Sequence, residues 1–370
     1  MRQSIRTTKQ EIIPLSDSEK EASTCIKIAV DAMGGDYGPK EVIPALAIVL
    51  KKHSDVFFHI FGDESKITPY LNRYPVLKRQ SKLNHTDKVI NNDEKPSIAL
   101  RSSKGTSMRL AIEAVKKGKA QAIVSSGNTG ALMAMAKTVL RTVPGIRRPA
   151  LASLLPGIKS DTIMLDLGAN VLVDGDALVQ FAILGSIFAK AQKKIERPNV
   201  GLLNVGSEDT KGPDHVRAAA QVLSRIKFPG EYKGFVEGDD IGKGTVDVIV
   251  TDGYAGNISL KTAEGMGSLT KHYITESFAS SPLAYLGAIF AFFSLRHLKK
   301  RLDPRRYNGG VFLGLNGLCI KSHGGADALA FSNAVLMAVR LARLDYIDQT
   351  VKEIAYLAEQ EETMVMDKAV

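Results

Sequence analysis

The sequence predicts an α/β protein in which a mainly parallel sheet is sandwiched between two helical layers. Two observations carry this expectation. Five segments, IKIAV (26–30), QAIVS (121–125), DTIMLD (161–166), NVGLLN (199–204) and VDVIVTD (246–252), are runs of β-branched and aliphatic residues without polar alternation. That is the pattern of a strand covered on both faces. Each run passes into a glycine-bearing polar loop, and most of these loops lead into a stretch with helical spacing, so a βα unit recurs along the chain.

The first unit runs from IKIAV through DAMGGDYG into PKEVIPALAIVLKK, and the second from QAIVS through SGNTG into ALMAMAKTVLR. DTIMLD leads into LGAN, NVGLLN passes through VGSEDTKG into PDHVRAAAQVLSRI, and VDVIVTD passes through GYAGN into ISLKTAEGMGSL. LDYIDQTVKEIAYLAEQEE (344–362) has the spacing of a closing amphipathic helix, and residues 351–370 are assigned to the terminal helix and tail. No Pro/Gly/Ser-rich linker or shift in composition interrupts residues 25–350, which favours one continuous domain over two tethered ones. Residues 1–24 are polar, with no unbroken apolar core and no small-residue cleavage pattern; they read as a disordered extension rather than a secretory signal.

With 370 residues, 44% hydrophobic and 24% charged, the chain can bury a large core. Cys25 and Cys319 are far apart and belong to no CxxC pair, which argues against a disulfide framework or a cysteine-based zinc site and fits a reducing cytoplasm. Lys plus Arg number 49 against 39 Asp plus Glu, a balance of +10 that favours acidic partners. No basic tract interleaves with aromatics, so nucleic acid is not expected among them.

In open parallel sheets, ligands bind beyond the carboxyl ends of the strands, so the five loops are expected to gather on one sheet edge. They contribute Asp31, Gly34, Gly35, Asp36, Ser126, Gly127, Asn128, Thr129, Gly130, Asn170, Asn204, Gly206, Ser207, Glu208, Lys211, Asp252, Gly256 and Asn257. In SSGNTGALMAMA, Ser126, Asn128 or Thr129 can cap a helix whose first N–H groups attract an anion, although the same residues also make an ordinary tight turn. Lys211 and Lys261 lie at or just after two of the loops, where a lysine neutralises bound phosphate or is simply solvated. His323 in KSHGGAD suits an acid, a base or an oxyanion donor, or a cap for a helix beginning near Ala326. The chain has no GxGxxG, GxxxxGK[ST], GxSxG or HExxH, so the dinucleotide fingerprint, the P-loop, the serine nucleophile elbow and the zinc helix are all missing.

The ordered blocks IAVDAMGGDYGPKEVIPA, SSGNTGALMA, RRPALA, DLGANV, LLNVGSEDTKG, FVEGDDI, DVIVTDGYAGNISLKT and KSHGGAD closely resemble the PlsX-type phosphate acyltransferases of bacterial phospholipid synthesis. The resemblance runs from about residue 26 to about residue 345. It implies transfer of a long-chain acyl group from acyl carrier protein to inorganic phosphate, with no cofactor. It also implies a fold similar to those of isopropylmalate dehydrogenases and phosphotransacetylases, a homodimer, and a membrane glycerol-3-phosphate acyltransferase that receives the acyl phosphate. An acidic carrier protein suits the basic surplus.

Phosphate attack on a thioester needs an anion cradle and an oxyanion stabiliser but no protein nucleophile. The expected cradle is the backbone near Ser126 to Thr129 with Lys211 or Lys261. Asn170, Asn204, Asn257 and His323 are candidates to polarise the carbonyl or protonate the departing thiol. A short-chain transferase using acyl-CoA needs the same cradle, whereas a peripheral membrane scaffold needs none of these loops.

One segment is left over. LAYLGAIFAFFSLRHLKKRLDPRR (283–306) breaks from apolar to basic, and its apolar run, Leu283 to Phe293, has only 11 residues. As a helix that run reaches ~16 Å, against ~30 Å of hydrocarbon. Read as one helix, it sets Phe292, Leu295, Leu298 and Leu302 on one stripe opposite Arg296, Lys299 and Lys300, followed by Arg301, Arg305 and Arg306. This is the pattern of an interfacial helix, expected to form a hairpin over about 268–306 that meets an anionic membrane through Leu286, Phe290, Phe292, Phe293, Arg296, Lys299 and Lys300. A dimer-interface or core helix with a solvated basic edge is the alternative.

Overall fold

The computed structural model describes residues 25–301 and 303–367, without the side chains of 299–301, 304 and 361–367. The expected extension at 1–24, the last three residues of the tail, Leu302 of the apolar stripe and the side chains of Lys299 and Lys300 lie outside the described residues.

The chain opens with β1 (Ile26–Asp31), α1 (Pro39–Leu50), β2 (Val56–Gly62), α2 (Glu64–Leu71), α3 (Pro75–Arg79) and β3 (Ser81–His85). It continues through α4 (Pro96–Ser102), α5 (Ser107–Lys116), β4 (Ala122–Ser125), α6 (Thr129–Leu140), β5 (Ala150–Leu155), β6 (Thr162–Leu165) and α7 (Gly175–Lys193). Next come β7 (Asn199–Leu203), α8 (Asp214–Leu223), β8 (Glu231–Val236), α9 (Gly238–Lys243), β9 (Val248–Val250) and α10 (Gly253–Ala279). The chain closes with α11 (Pro282–Phe290), α12 (Phe292–Arg301), β10 (Gly310–Leu313), β11 (Leu318–Lys321), α13 (Ala328–Arg343) and α14 (Tyr346–Asp367).

All five expected strands form. The six not foreseen are weak signals taken alone: β3 (SKLNH) and β8 (EYKGFV) are polar edge strands, β10 and β11 have four residues each, and β2 and β5 lack a glycine-rich loop leading to a helix. The terminal helix α14 crosses the boundary expected at residue 351.

One sheet runs in the order β3-β2-β1-β4-β11-β10-β5-β6-β9-β7-β8. Alternate strand residues feed two cores, as the two-residue period requires. Ile28, Val30, Val124, Ile163, Leu165, Val248, Val250 and Ile320 face a core completed by α1, α7, α8 and α13. Ala29, Ile123, Met164, Ile249, Phe312 and Cys319 face a second core completed by α5 and α6, against which Leu260 of α10 also packs. This is the three-layer α/β/α sandwich expected from the sequence.

The loops are not simply on one edge. β1, β2, β3, β4 and β11 are parallel to one another, and so are β6, β7, β8 and β9, but the pairings β11–β10, β10–β5 and β5–β6 are all antiparallel. The loops after β1, β4 and β11 therefore leave one sheet edge, and those after β6, β7 and β9 leave the other. The two sets are linked through α10, which follows β9 and carries Lys261, whose charge acts on Lys321 at the end of β11.

Candidate functional site

Three strand ends form the floor of the first loop set. Asp31, Ser125 and Lys321 each lie two residues beyond a core residue of the same sheet face, namely Ala29, Ile123 and Cys319. They make a polar row where three adjacent apolar rows stop. Ser125 Oγ donates to Asp31 Oδ2 at 2.7 Å, and the Met33 N–H donates to Asp31 Oδ1 at 3.3 Å. Burial raises the Asp31 pKa, while hydrogen bonds from Ser107 and Ser125 oppose that shift.

Above this row the loops interlock through their backbones. Ser126 Oγ donates to Gly34 O at 2.8 Å, Asp36 N to Gly324 O at 3.0 Å and Ser322 N to Ser125 O at 2.9 Å. A Cβ on Gly34 would fall 2.6 Å from Gly127 N, and Gly35 has φ +81 and faces Ser126 Oγ. Both positions need glycine, one for close approach and the other for its backbone conformation.

Of the three possible caps, Asn128 starts α6: its Oδ1 accepts from Ala131 N at 3.0 Å. Its amide also donates to Asn92 O at 2.7 Å and to Glu94 O at 3.0 Å. The Asn128 side chain is thus occupied in fastening the segment before α4. The first-turn N–H groups of Thr129 and Gly130 have no intrahelical acceptor and remain the available donors.

His323 does not cap α13. Asp327 does, accepting from Ala330 N at 2.8 Å, and the helix begins at Ala328, two residues later than expected. His323 is exposed, its backbone N–H donates to Asn308 Oδ1 at 2.9 Å, and its Nδ1 accepts from Gly325 N at 3.1 Å. In the neutral ring that bond assigns the proton to Nε2, which is the nitrogen free to donate.

The second loop set holds Asp166, a residue the sequence reading left out. Its buried carboxylate accepts from Leu151 N (3.0 Å), Gly168 N (3.2 Å), Ala169 N (2.9 Å), Asn170 N (2.7 Å) and Asn170 Nδ2 (2.9 Å). Burial raises its pKa, against the pull of those donors. Asn170 Nδ2 also donates to Pro149 O at 2.7 Å. Asn204 Nδ2 donates to Gly206 O and Lys211 O, each at 3.1 Å, and closes the 204–212 loop. Neither asparagine amide is free to polarise a carbonyl, because backbone carbonyls and the Asp166 carboxylate already hold them. In the same loop Lys211 is exposed and pairs with Glu208 at 2.7 Å. That bond raises the Lys211 pKa and lowers that of Glu208.

α10 connects the two sets. Asp252 caps it, accepting from Ala255 N at 2.8 Å, and the helix carries Asn257 and Lys261 one turn apart on one side. The exposed Asn257 side chain lies against Gly168, where an added Cβ would sit 3.3 Å from Asn257 Cβ. Lys261 is exposed, pairs with Glu264 at 2.6 Å and is close enough to Lys321 for its charge to act on that amine. Asn257 and Lys261 thus border both loop sets.

Beyond Leu260, α10 leaves the body of the protein, and residues 261–270 are all exposed. Within the region expected to form a hairpin, α11 and α12 meet at Ala291 rather than continuing as one helix. Leu283, Tyr285, Leu286, Ile289, Phe290, Phe292 and Phe293 are exposed, the two extremes being Phe290 at 83% and Phe293 at 80%, and Arg296 is exposed beyond them. Arg305 is not a free basic residue: it donates to Asp303 and, at 3.0 Å, to Asp327 Oδ2. No helix among the described residues is long and apolar enough to cross a membrane.

A family model described as fatty acid synthesis protein matches residues 26–349. The chain is 52% identical over 334 residues to a phosphate acyltransferase of Parvibaculum lavamentivorans, covering 90% of this chain and 92% of that one. It is 48% identical over 348 residues to a phosphate acyltransferase of Rhodospirillum rubrum, covering 94% of this chain and 100% of that one. Among solved structures, the fold is similar to that of the EutD phosphotransacetylase from Staphylococcus aureus, with a TM-score of 0.56, 17% identity and coverage of 88% of this chain and 96% of the other. It is also similar to that of a phosphotransacetylase from Streptococcus pyogenes, with a TM-score of 0.58, 17% identity and coverage of 86% and 94%.

Proposed function

Because this chain belongs to the fatty acid synthesis protein family and is a phosphate acyltransferase of the PlsX type, we propose that its acyl donor is a long-chain acyl group on acyl carrier protein. Its product is then an acyl phosphate that a membrane glycerol-3-phosphate acyltransferase consumes. The observation that carries the site is the interlocked loop set after β1, β4 and β11, which leads into α6 and includes Lys321, an amine on which the Lys261 charge acts.

In this reading orthophosphate lies at the first turn of α6. There the N–H groups of Thr129 and Gly130 and the Lys261 ammonium hold its charge. One phosphate oxygen attacks the thioester carbonyl carbon, a C–O bond forms and the carbonyl oxygen becomes an oxyanion. Asn257 Nδ2 donates to that oxyanion. The oxyanion collapses, the C–S bond breaks, and the pantetheine sulfur leaves as a thiolate that takes a proton from His323 Nε2 or from water. Lys211, on the second loop set, serves the carrier side, where a cation attracts an acidic partner.

The arm supports the delivery of a hydrophobic product. Apolar residues lie all around α11, an arrangement that suits a helix surrounded by apolar material. None of them is buried by the rest of the chain. Lipid under Leu286, Phe290 and Phe293, with Arg296 at the headgroups, supplies that surrounding at the inner face of the cell membrane. On α10, Tyr254, Ile258, Met266, Leu269 and Tyr273 form an exposed stripe that suits a second copy of the chain.

The test mixes purified protein, palmitoyl carrier protein and labelled orthophosphate, and traps acyl phosphate with hydroxylamine. Palmitoyl hydroxamate formed with a kcat/KM well above that for acetyl-CoA is the expected result. A preference for acetyl-CoA would overturn the long-chain, carrier-dependent reading.

A further inference from the structure

Lys321 ends β11 on the same sheet face as Cys319, beside Ser125 of β4 and at the end of the row that contains Asp31. The residue is half-buried, and its ammonium group donates to Ser322 O and, at 3.5 Å, to Ser126 O. Those two carbonyls belong to the loops that follow β11 and β4, so the amine sits where these loops meet. The charged groups acting on it are Lys261 from α10 and Asp36 from the loop after β1, and Asp36 accepts from Asn92 Nδ2 at 3.2 Å. Among the described residues no carboxylate forms an ion pair with Lys321, although a cation partly withdrawn from water is stabilised by such a partner. A second cation is instead brought close to it. Two neighbouring ammonium groups, one of them desolvated, repel each other unless an anion lies between them.

We propose that Lys321 is a counter-cation of the phosphate acylated by this enzyme, holding it together with Lys261 and the first-turn N–H groups of α6. The assignment rests on placing phosphate at that turn. Lys321 adds what the turn lacks, a side-chain positive charge on a half-buried amine at the junction of the loops after β4 and β11, where salt screens it less than a fully exposed charge. The carbonyls of Ser126 and Ser322 fix the amine, so it needs little reorganisation when phosphate binds.

The first experiment measures the KM for phosphate and for palmitoyl carrier protein in Lys321→Met, Lys321→Arg and Lys261→Ala. Loss of a charged hydrogen bond predicts a rise of about 10- to 100-fold in the phosphate KM for Lys321→Met, with the carrier KM unchanged and partial recovery in Lys321→Arg. An unchanged phosphate KM in Lys321→Met alongside a raised one in Lys261→Ala would overturn the role of Lys321 while leaving phosphate at the turn. No change in either variant would remove phosphate from the turn altogether. The second experiment uses the unmodified protein: acetic anhydride labelling read by mass spectrometry, with and without phosphate. Phosphate protecting Lys321 and Lys261 but not Lys211 is the expected pattern, and equal labelling of Lys321 in both conditions would overturn the assignment.

Discussion

Arg305 Nη1 donates to Asp327 Oδ2 at 3.0 Å, so the root of the α10–α12 arm is tied to the residue that caps α13. Asn308, three residues further on, holds the same region from the other side: it accepts from His323 N and donates to Ser322 Oγ at 2.8 Å and to Ala330 O at 2.7 Å. The return of the arm and the His323 loop therefore form one hydrogen-bonded block. A double-mutant cycle in urea with Arg305→Met and Asp327→Asn, the second of which keeps a competent cap, is expected to give a coupling energy of about 0.5–1 kcal/mol. That value is at the upper end for a partly exposed pair. Zero coupling would reduce the bridge to an ordinary surface pair.

Asp166 organises the second loop set by accepting from four backbone N–H groups and one amide. Asparagine in its place would turn a donor toward those donors. Asp166→Asn is expected to lower unfolding stability by about 3 kcal/mol, a loss readable as a lower urea midpoint with the slope unchanged.

Asn257 stands apart from Asn170 and Asn204 because its side chain is exposed and no hydrogen bond holds it among the described residues. Asn257→Ala should lower kcat by about 100-fold, as for loss of one oxyanion donor, and leave the melting temperature within a degree or so of the parent. A comparable loss of stability would make Asn257 a packing residue instead.

Lys321 sets a pH dependence. Burial, with the Lys261 charge behind it, pushes its amine down to about 8, and Asp36 acts the other way. The amine is a cation below that value and neutral above it. The KM for phosphate should therefore climb as pH rises through about 8, and the climb should flatten in Lys321→Arg, whose guanidinium stays charged. Initial rates at varied phosphate across that range, with palmitoyl carrier protein saturating, provide the check.

Phe290 and Phe293 are the most exposed aromatics of the arm. Replacing both with Glu should abolish cosedimentation with vesicles containing phosphatidylglycerol and leave turnover in detergent-free solution within about twofold, since neither residue touches the loop sets. Retained vesicle binding together with a changed oligomeric state would assign the arm tip to a subunit interface.

Much of this was legible in the chain itself, because strands buried on both faces must be written in aliphatic residues whatever surrounds them. IKIAV, QAIVS and VDVIVTD could be read as strands, their glycine loops as loops and one of Ser126, Asn128 and Thr129 as a cap, since each depends on neighbours within a few residues; the fold chose Asn128. The ordered motifs fixed the family for the same reason. The chain order alone did not reveal that three antiparallel pairings reverse half of the sheet. It also did not show that Asn170 and Asn204 are structural clamps, because their partners, Asp166 and the loop carbonyls, are chosen by folding. Lys321 drew no attention in KSHGGAD, where a lysine usually points into water. Only the tertiary structure gives it a row beside Asp31 and Ser125, a half-buried amine held by two loop carbonyls and a second lysine whose charge acts on it, because burial and charge proximity are properties of packed elements and not of sequence neighbours.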